Sequence, residues 1–85
     1  MAHIVMYASA YCPYCRWAQE LLDSKKVEYT IINVDRNFEL RQEMMQRSRR
    51  TSVPQIFIND LHVGGFDDLA ALDRRGELDP LLAEN

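Results

Sequence analysis

Apolar residues first alternate with polar ones, as in a strand, and then recur every three to four residues, as in a helix. Residues 3–8 alternate and are β-prone, which predicts a first strand. A helix is predicted from Pro13, whose missing N–H suits a first turn, to about Lys25. Its shared apolar stripe contains Tyr14, Ala18, Leu21 and Leu22. Residues 28–34 predict a second strand, parallel to the first through a right-handed crossover.

The middle of the chain predicts a second helix followed by a third strand. Asn37 is a candidate N-cap, and the helix is expected to end at about Arg47. Its expected apolar positions are Phe38, Met44 and Met45. Pro54 cannot donate a ladder hydrogen bond, so it is expected to precede the third strand, Gln55–Ile58.

The last third predicts a hairpin and then helix. Asn59 and Asp60 form a tight turn into a strand over residues 61–63, which Gly64 and Gly65 break. Asp67 is expected to cap a third helix. That helix carries Leu69, Ala70 and Leu72, ends at Gly76, and is followed by a short turn over residues 79–83. The order βαβαββα predicts an α/β fold, a four-stranded mixed sheet with helices on both faces.

Composition limits the classes of function. The 85 residues fit one domain, residues 1–85, and 47% hydrophobic with 27% charged residues is ordinary for a soluble globular protein. A net charge of −3 does not suggest nucleic-acid binding. The N-terminal residues lack the pattern of a signal peptide, and no stretch approaches the roughly 20 apolar residues of a membrane span. We therefore expect a cytoplasmic protein, monomeric and without membrane partners.

The two cysteines form one motif, Cys12-Pro13-Tyr14-Cys15, at the junction of the first strand and helix. A metal site is not expected, because zinc needs four ligands and the other soft ligands, His3 and His62, fall on different strands. A structural disulfide would close too small a loop to constrain the unfolded chain. In a reducing compartment the remaining interpretation is a redox dithiol.

The helix start makes the two thiols unequal. Cys12, at the tip, is expected to be exposed and to attack as a thiolate, favoured by the helix N-terminus and by Arg16. Cys15 lies near the apolar stripe, so we expect it to be buried and to resolve the mixed disulfide formed on Cys12. Tyr14 has two interpretations that stay open, a core aromatic or a wall of the substrate site.

Two further segments suggest a bound peptide. In Thr51-Ser52-Val53-Pro54, a cis bond before Pro54 would leave the Val53 backbone free for an extended ligand; the alternative is a trans proline opening an edge strand. In Gly64-Gly65-Phe66-Asp67-Asp68, the glycines and the helix start would accept a carboxylate, and Asp68 an ammonium. Together they match an α-amino acid headgroup. The alternative is a hairpin exit with Asp67 as a helix cap.

These segments, in register, resemble the glutaredoxin family and are similar to its small bacterial dithiol members, the glutaredoxin-three class. The resemblance covers nearly the whole chain. It is carried by Tyr11-Cys12-Pro13-Tyr14-Cys15, by Arg50-Thr51-Ser52-Val53-Pro54-Gln55-Ile56-Phe57-Ile58, by Gly64-Gly65-Phe66-Asp67-Asp68-Leu69, and by the tail Ala71-Leu72-Asp73 with Leu78-Asp79-Pro80-Leu81-Leu82.

The resemblance implies the thioredoxin fold and a glutathione-dependent thiol–disulfide oxidoreductase. Cys12 would be the nucleophile, Cys15 the resolving thiol, and Pro54 would be cis. Glutathione would be a co-substrate, with no tightly bound cofactor. The residues implied to hold it are Tyr14, Ser52, Val53, Pro54, Gly65, Phe66, Asp67 and Asp68. The implied partners are disulfide-bonded or glutathionylated proteins, ribonucleotide reductase among them. The alternative is a module that binds an iron–sulfur cluster with the help of glutathione.

One position departs from the family pattern. Many glutaredoxins carry a lysine three positions before the nucleophile, where this chain has Ser9. That lysine is thought to favour the thiolate and to meet the glycine carboxylate of glutathione. Arg16, Arg41 and Arg49 are the candidate replacements. We expect the thiolate of Cys12 to form at somewhat higher pH than in relatives that carry the lysine.

Overall fold

The computed structural model describes residues 2–84; Met1 and Asn85, the ends of the predicted domain, lie outside the described residues. Four strands and four helices follow the predicted order, with the expected last turn present as a fourth helix. The elements are β1 Ile4–Ala8, α1 Pro13–Ser24, β2 Thr30–Asn33, α2 Phe38–Ser48, β3 Gln55–Ile58, β4 Leu61–Gly64, α3 Phe66–Arg74 and α4 Leu78–Ala83.

The four strands form one mixed sheet in the order β2-β1-β3-β4. β1 runs parallel to β2, as the strand–helix–strand pattern predicts, and antiparallel to β3. β3 and β4 form the predicted hairpin, in which Asn59 and Asp60 adopt φ values of 49° and 70°. Both are residue types that tolerate left-handed backbone, so the turn chemistry explains the tight connection.

The alternation in β1 divides the core between the two faces of the sheet. Ile4, Met6 and Ala8 pack in one cluster with residues of α1, α3 and α4. Tyr7 points to the opposite face, where it packs with Met44 of α2. Helices therefore lie on both faces of the sheet, which confirms the predicted architecture.

One expected apolar position, Phe38, and one of the two open interpretations of Tyr14 are wrong. The side chain of Phe38 is 75% exposed, although it begins α2. It lies six positions before the buried Met44, which places the two on different faces of a helix with 3.6 residues per turn. Tyr14 is 52% exposed, so its interpretation as a core aromatic is also wrong. Cys15, Ala18 and Leu22 form the buried side of α1 instead.

The prediction that Asp67 caps α3 is wrong as well. The helix begins two residues after Gly64, which ends β4 with φ of 116° and redirects the chain. Gly65 is therefore the N-cap, and Asp67 already lies within the first turn. The carboxylate of Asp68 accepts the Gly65 N–H at 2.9 Å and so satisfies one backbone donor at the helix start.

Candidate active site

The two cysteines lie where α1 begins and are joined by a disulfide bond. Cys12 is the N-cap with extended backbone, and Pro13 occupies the first helical position. Cys15 is 1% exposed, whereas Cys12 is half-buried, as the helical stripe predicts. The outer sulfur is therefore the one that a second molecule reaches first.

The Cys12 sulfur serves as the capping group of α1. It accepts the backbone N–H of Cys15 at 3.0 Å. When the pair is reduced, a thiolate at this position gains that hydrogen bond and the partial positive charge of the helix N-terminus. The local backbone thus favours the ionised, nucleophilic form of Cys12.

The Pro54 loop, residues 52–54, faces the dithiol. The Val53–Pro54 peptide bond is cis, which confirms the prediction made from the resemblance. The Val53 carbonyl oxygen lies 3.9 Å from the Cys12 sulfur. A Cβ on Gly65 would lie 3.5 Å from the Pro54 carbonyl oxygen, so the loop also adjoins the start of α3. The loop therefore lies between the Cys12 sulfur and the N-terminus of α3.

A groove of about 350 Å³ runs from the Pro54 loop to the start of α3. It brings together every residue that the resemblance implies for glutathione, and two that the sequence analysis missed, Arg50 and Gln55. Its lining residues are Tyr14, Arg50, Ser52, Val53, Pro54, Gln55, Gly65, Phe66, Asp67 and Asp68. The start of α1, the Pro54 loop and the start of α3, which are far apart in the sequence, thus meet on one surface.

An aromatic wall borders this groove. The ring of Tyr14 meets Trp17 edge-on at 5.1 Å between centroids, and Trp17 lies 5.8 Å from Phe66. Edge-on and tilted pairs at such spacing are attractive arrangements of aromatic rings. Trp17 was not predictable as part of this wall, because its helical spacing places it beside the apolar stripe and not on it. Its partner Phe66 belongs to another helix, which spacing in α1 cannot indicate.

At the far end of the groove, Arg50 donates to the Asp68 carboxylate at 2.9 Å. The hydrogen bonds from Arg50 and from the Gly65 N–H hold the pKa of Asp68 below its usual value. Asp68 is thus ionised at neutral pH and presents a fixed negative charge beside the positive start of α3. An ammonium and a carboxylate of one ligand would both find opposite charge here.

A second carboxylate fixes the loop that carries Cys12. Asp35, just after β2, accepts the Ser9 hydroxyl at 2.6 Å and the Ala10 N–H at 2.9 Å. These two hydrogen bonds hold the pKa of Asp35 below its usual value, and the bond from Ser9 has the larger effect. The position that departs from the family pattern is therefore an anchor of the active-site loop in this chain.

This anchor predicts a pH-dependent stability. Because the pKa of Asp35 is depressed in the folded protein, its contribution is present above the unfolded value and is lost as the pH falls through the folded one. We expect Asp35→Asn to lower Tm at pH 7, and the gap to the wild type to be smaller at pH 3, below the ordinary aspartate pKa of about 3.9, than at pH 7. Thermal unfolding followed by circular dichroism measures both.

The control for Asp35→Asn is Asp60→Asn, which removes a carboxyl whose side chain is 99% exposed and should leave Tm nearly unchanged at both pH values. An Asp35→Asn gap that is the same at pH 7 and pH 3 would contradict the anchoring role.

Residues 2–84 contain neither a metal-binding cluster nor a membrane-spanning helix. No group of three His, Cys, Asp or Glu side chains among them is arranged to hold a metal ion. Within the same residues, every helix is too short or too polar to cross a lipid bilayer.

Sequence comparison finds close relatives along nearly the whole chain. The family model for glutaredoxin matches residues 4–63. Glutaredoxin 3 of Escherichia coli (strain K12) is 54% identical over 82 residues, which cover 96% of this chain and 99% of the relative. A glutaredoxin of Pseudomonas aeruginosa is 48% identical over 83 residues, covering 98% of this chain and 99% of that protein.

Structural comparison agrees. The solution structure of glutaredoxin from Brucella melitensis superposes with a TM-score of 0.85 at 48% identity, over 96% of this chain and 89% of that one. The crystal structure of a buckwheat glutaredoxin–glutathione complex gives a TM-score of 0.87 at 28% identity, over 95% of this chain and 76% of that one.

A mixed sheet of this topology with a dithiol at the start of its first helix defines a thiol–disulfide oxidoreductase of the thioredoxin fold. The chain belongs to the glutaredoxin family. It is a glutathione-dependent enzyme that works through the Cys12 and Cys15 pair, and the family recognised from the three sequence segments is confirmed.

Proposed function

We propose that Cys12 is the nucleophile and Cys15 the resolving thiol, and that the enzyme reduces glutathione mixed disulfides and protein disulfides. The observation that carries this assignment is the asymmetry of the pair. Cys12 is only half-buried and its sulfur caps α1, while Cys15 is 1% exposed. Only the outer sulfur combines a stabilised negative charge with access to a substrate.

The proposed cycle begins when the Cys12 thiolate attacks the sulfur of a glutathionyl group. A disulfide forms between Cys12 and glutathione, and the substrate leaves as a thiolate that takes up a proton. A second glutathione thiolate then attacks the bound glutathionyl sulfur, which yields glutathione disulfide and restores the Cys12 thiolate.

With a protein disulfide, the Cys12 thiolate attacks one of its sulfurs, forms a mixed disulfide and releases the other protein sulfur as a thiolate. Cys15 then attacks the Cys12 sulfur, closes the internal disulfide and releases the second protein thiolate. Two glutathione thiolates in turn reduce the internal disulfide, which restores the dithiol and yields glutathione disulfide.

The groove offers glutathione a matching set of contacts. An extended ligand would pair with the backbone of Val53, next to the Cys12 sulfur. The α-carboxylate of the γ-glutamyl group would meet the N–H groups of Phe66 and Asp67 at the start of α3, and its ammonium would meet Asp68. Tyr14, Ser52, Pro54 and Gly65 also line the groove. The buckwheat relative solved with glutathione supports the same kind of ligand here.

The substrates that fit this site are proteins with accessible disulfides or glutathionylated cysteines. Ribonucleotide reductase as a client rests on the family resemblance alone. A cytoplasmic location fits the proposed cycle, because that compartment supplies reduced glutathione.

A comparison of two small substrates tests the proposed pose. One is a mixed disulfide of a peptide with glutathione, and the other is the same peptide disulfide-bonded to cysteinylglycine, which lacks the γ-glutamyl group. The wild type is expected to prefer the first about tenfold or more in kcat/KM, since a charge-assisted contact contributes about 1.5–3 kcal/mol. Asp68→Asn, which removes the charge and keeps the shape, should reduce that preference.

Equal rates of the wild type with both peptides would overturn the pose of the γ-glutamyl group. A full preference retained in Asp68→Asn would remove Asp68 from it. Both results leave the roles of the cysteines to be judged by their own variants.

The serine at position 9 carries a separate prediction. Ser9→Lys is expected to lower the pH midpoint of Cys12 alkylation by about 0.5–1 unit, because a nearby cation favours the thiolate. Iodoacetamide labelling of the reduced protein across a pH series measures it. Ser9→Met is the matched control, since it also removes the hydroxyl bonded to Asp35 but adds no charge. An unchanged or higher midpoint for Ser9→Lys, relative to Ser9→Met, would contradict the prediction.

A further inference from the structure

Behind the Pro54 loop lies a chain of hydrogen-bonded polar groups, centred on one buried amide, that the proposed cycle does not use. Gln55, the first residue of β3, is 0% exposed. Its amide nitrogen donates to the Ser52 carbonyl oxygen at 3.0 Å, and its amide oxygen lies 2.7 Å from the Nε2 atom of His62 on β4. A buried amide keeps such partners because a buried donor or acceptor without one destabilises the fold.

Hydrogen-bond chemistry fixes the roles of these atoms. The Ser52 carbonyl oxygen can only accept, so the NH₂ end of Gln55 must face it. The amide oxygen therefore faces His62 and requires a proton on its Nε2 atom. Burial, with a smaller effect of Arg50, holds the pKa of His62 below its usual value, which favours the neutral ring with hydrogen on Nε2 at pH 7.

The position of this chain connects it to the reaction. Ser52 and Pro54 flank Val53, and the Val53 carbonyl oxygen lies 3.9 Å from the Cys12 sulfur. One hydrogen bond from Gln55 holds the Ser52 end of the loop, while Pro54 is buried and leads directly into β3. His62 in turn packs against Phe57 at 5.0 Å between ring centroids, which holds the imidazole at the edge of the sheet.

We propose that His62 and Gln55 are positioning residues, which hold the Pro54 loop so that the Val53 backbone meets glutathione beside the Cys12 sulfur. This inference rests on the proposed function, because it concerns the ligand that Val53 pairs with. His62 acts through Gln55, and Gln55 acts through the Ser52 carbonyl. Neither takes part in the sulfur chemistry, so their loss weakens binding of the glutathionyl group and leaves the thiolate as reactive as before.

Two electrophiles separate these effects. A glutathionylated peptide needs the Val53 backbone, whereas iodoacetamide reacts with the Cys12 thiolate without any glutathione contact. His62→Phe keeps an aromatic ring against Phe57 but removes the donor to Gln55. We expect its second-order rate constant with the glutathionylated peptide to fall about three- to tenfold, since the loss of one such hydrogen bond costs about 0.5–1.5 kcal/mol. Its rate with iodoacetamide at pH 7 should stay within about twofold of the wild type.

Two variants serve as controls for His62→Phe. His62→Gln carries an NH₂ donor at a reach similar to that of Nε2, so it should recover the rate with the glutathionylated peptide to within about twofold. His3→Phe makes the same exchange at the other histidine, which is exposed and lies outside this chain of hydrogen bonds, and should change neither rate. Circular dichroism of each variant checks that it is folded at the assay temperature.

The outcomes distinguish the positioning role of His62 from the proposed pose of glutathione. A His62→Phe protein with unchanged selectivity for the glutathionylated peptide over iodoacetamide would overturn the positioning role. A His62→Gln protein as impaired as His62→Phe would also overturn it, because the ring and not the donor would then matter. Failure of the wild type to prefer the glutathionyl over the cysteinylglycine peptide would instead overturn the glutathione pose, and the positioning role with it.

Discussion

Replacing Cys12 with serine is expected to abolish the reduction of both glutathione mixed disulfides and protein disulfides, by at least about a thousandfold in kcat/KM. A serine hydroxyl stays protonated near neutral pH, so the helix N-terminus has no anion to stabilise. Cys15→Ser should keep most of the activity on glutathionylated peptides, because a second glutathione completes that cycle. It should lose the reduction of protein disulfides that depends on closing the internal disulfide.

The two variants control for each other, because each removes one sulfur from the same helix turn. A coupled assay with glutathione and glutathione reductase follows the glutathionylated peptide, and insulin turbidity follows protein disulfides. Retained activity of Cys12→Ser, or equal loss of both activities in Cys15→Ser, would show that the two thiols have other roles.

Gly64→Ala is expected to destabilise the fold by about 3 kcal/mol or more and to weaken binding of glutathionyl substrates. Gly64 has φ of 116°, where a side chain is strained, and its added methyl group would collide with the Asp68 carboxylate. Moving Asp68 breaks its bonds to Arg50 and to the Gly65 N–H. The start of α3 and the ammonium site would both be lost, so urea unfolding and kcat/KM should change together.

Gly76→Ala is the matched control for Gly64→Ala. Gly76 also has a positive φ, 74°, but a Cβ there would meet no atom within 4 Å. Its cost is expected to be the backbone term alone, about 1 kcal/mol, with kcat/KM unchanged. Equal destabilisation by the two substitutions would show that the Asp68 contact contributes nothing.

The sequence predicts best the features that depend on neighbours along the chain. The order of Cys12, Pro13 and Cys15 at a strand-to-helix junction is enough to predict which thiol is buried, because helical spacing fixes which side chains face the sheet. The hairpin at Asn59 and Asp60 follows from the backbone freedom of those residue types. The cis bond before Pro54 was predictable only from the family resemblance, since most X–Pro bonds are trans.

Contacts between distant segments were not predictable in the same way. Nothing in the spacing of Arg50 and Asp68, or of Ser9 and Asp35, indicates that each pair meets. The sequence predicts Asp67 as the cap of α3 because aspartate is a common N-cap, yet Gly64 turns the chain early enough for Gly65 to take that position. Local propensity indicates which residues can cap a helix or form an ion pair, and the tertiary packing determines which of them do.

The most direct test of the central claim is the order in which the two sulfurs of the reduced wild-type protein react. Brief treatment with substoichiometric iodoacetamide at pH 7, followed by peptide mass spectrometry, reports the label on each cysteine. A half-buried thiolate at the start of α1, with its partner only 1% exposed, predicts label almost entirely on Cys12. Equal labelling of both cysteines, or faster labelling of Cys15, would contradict the account.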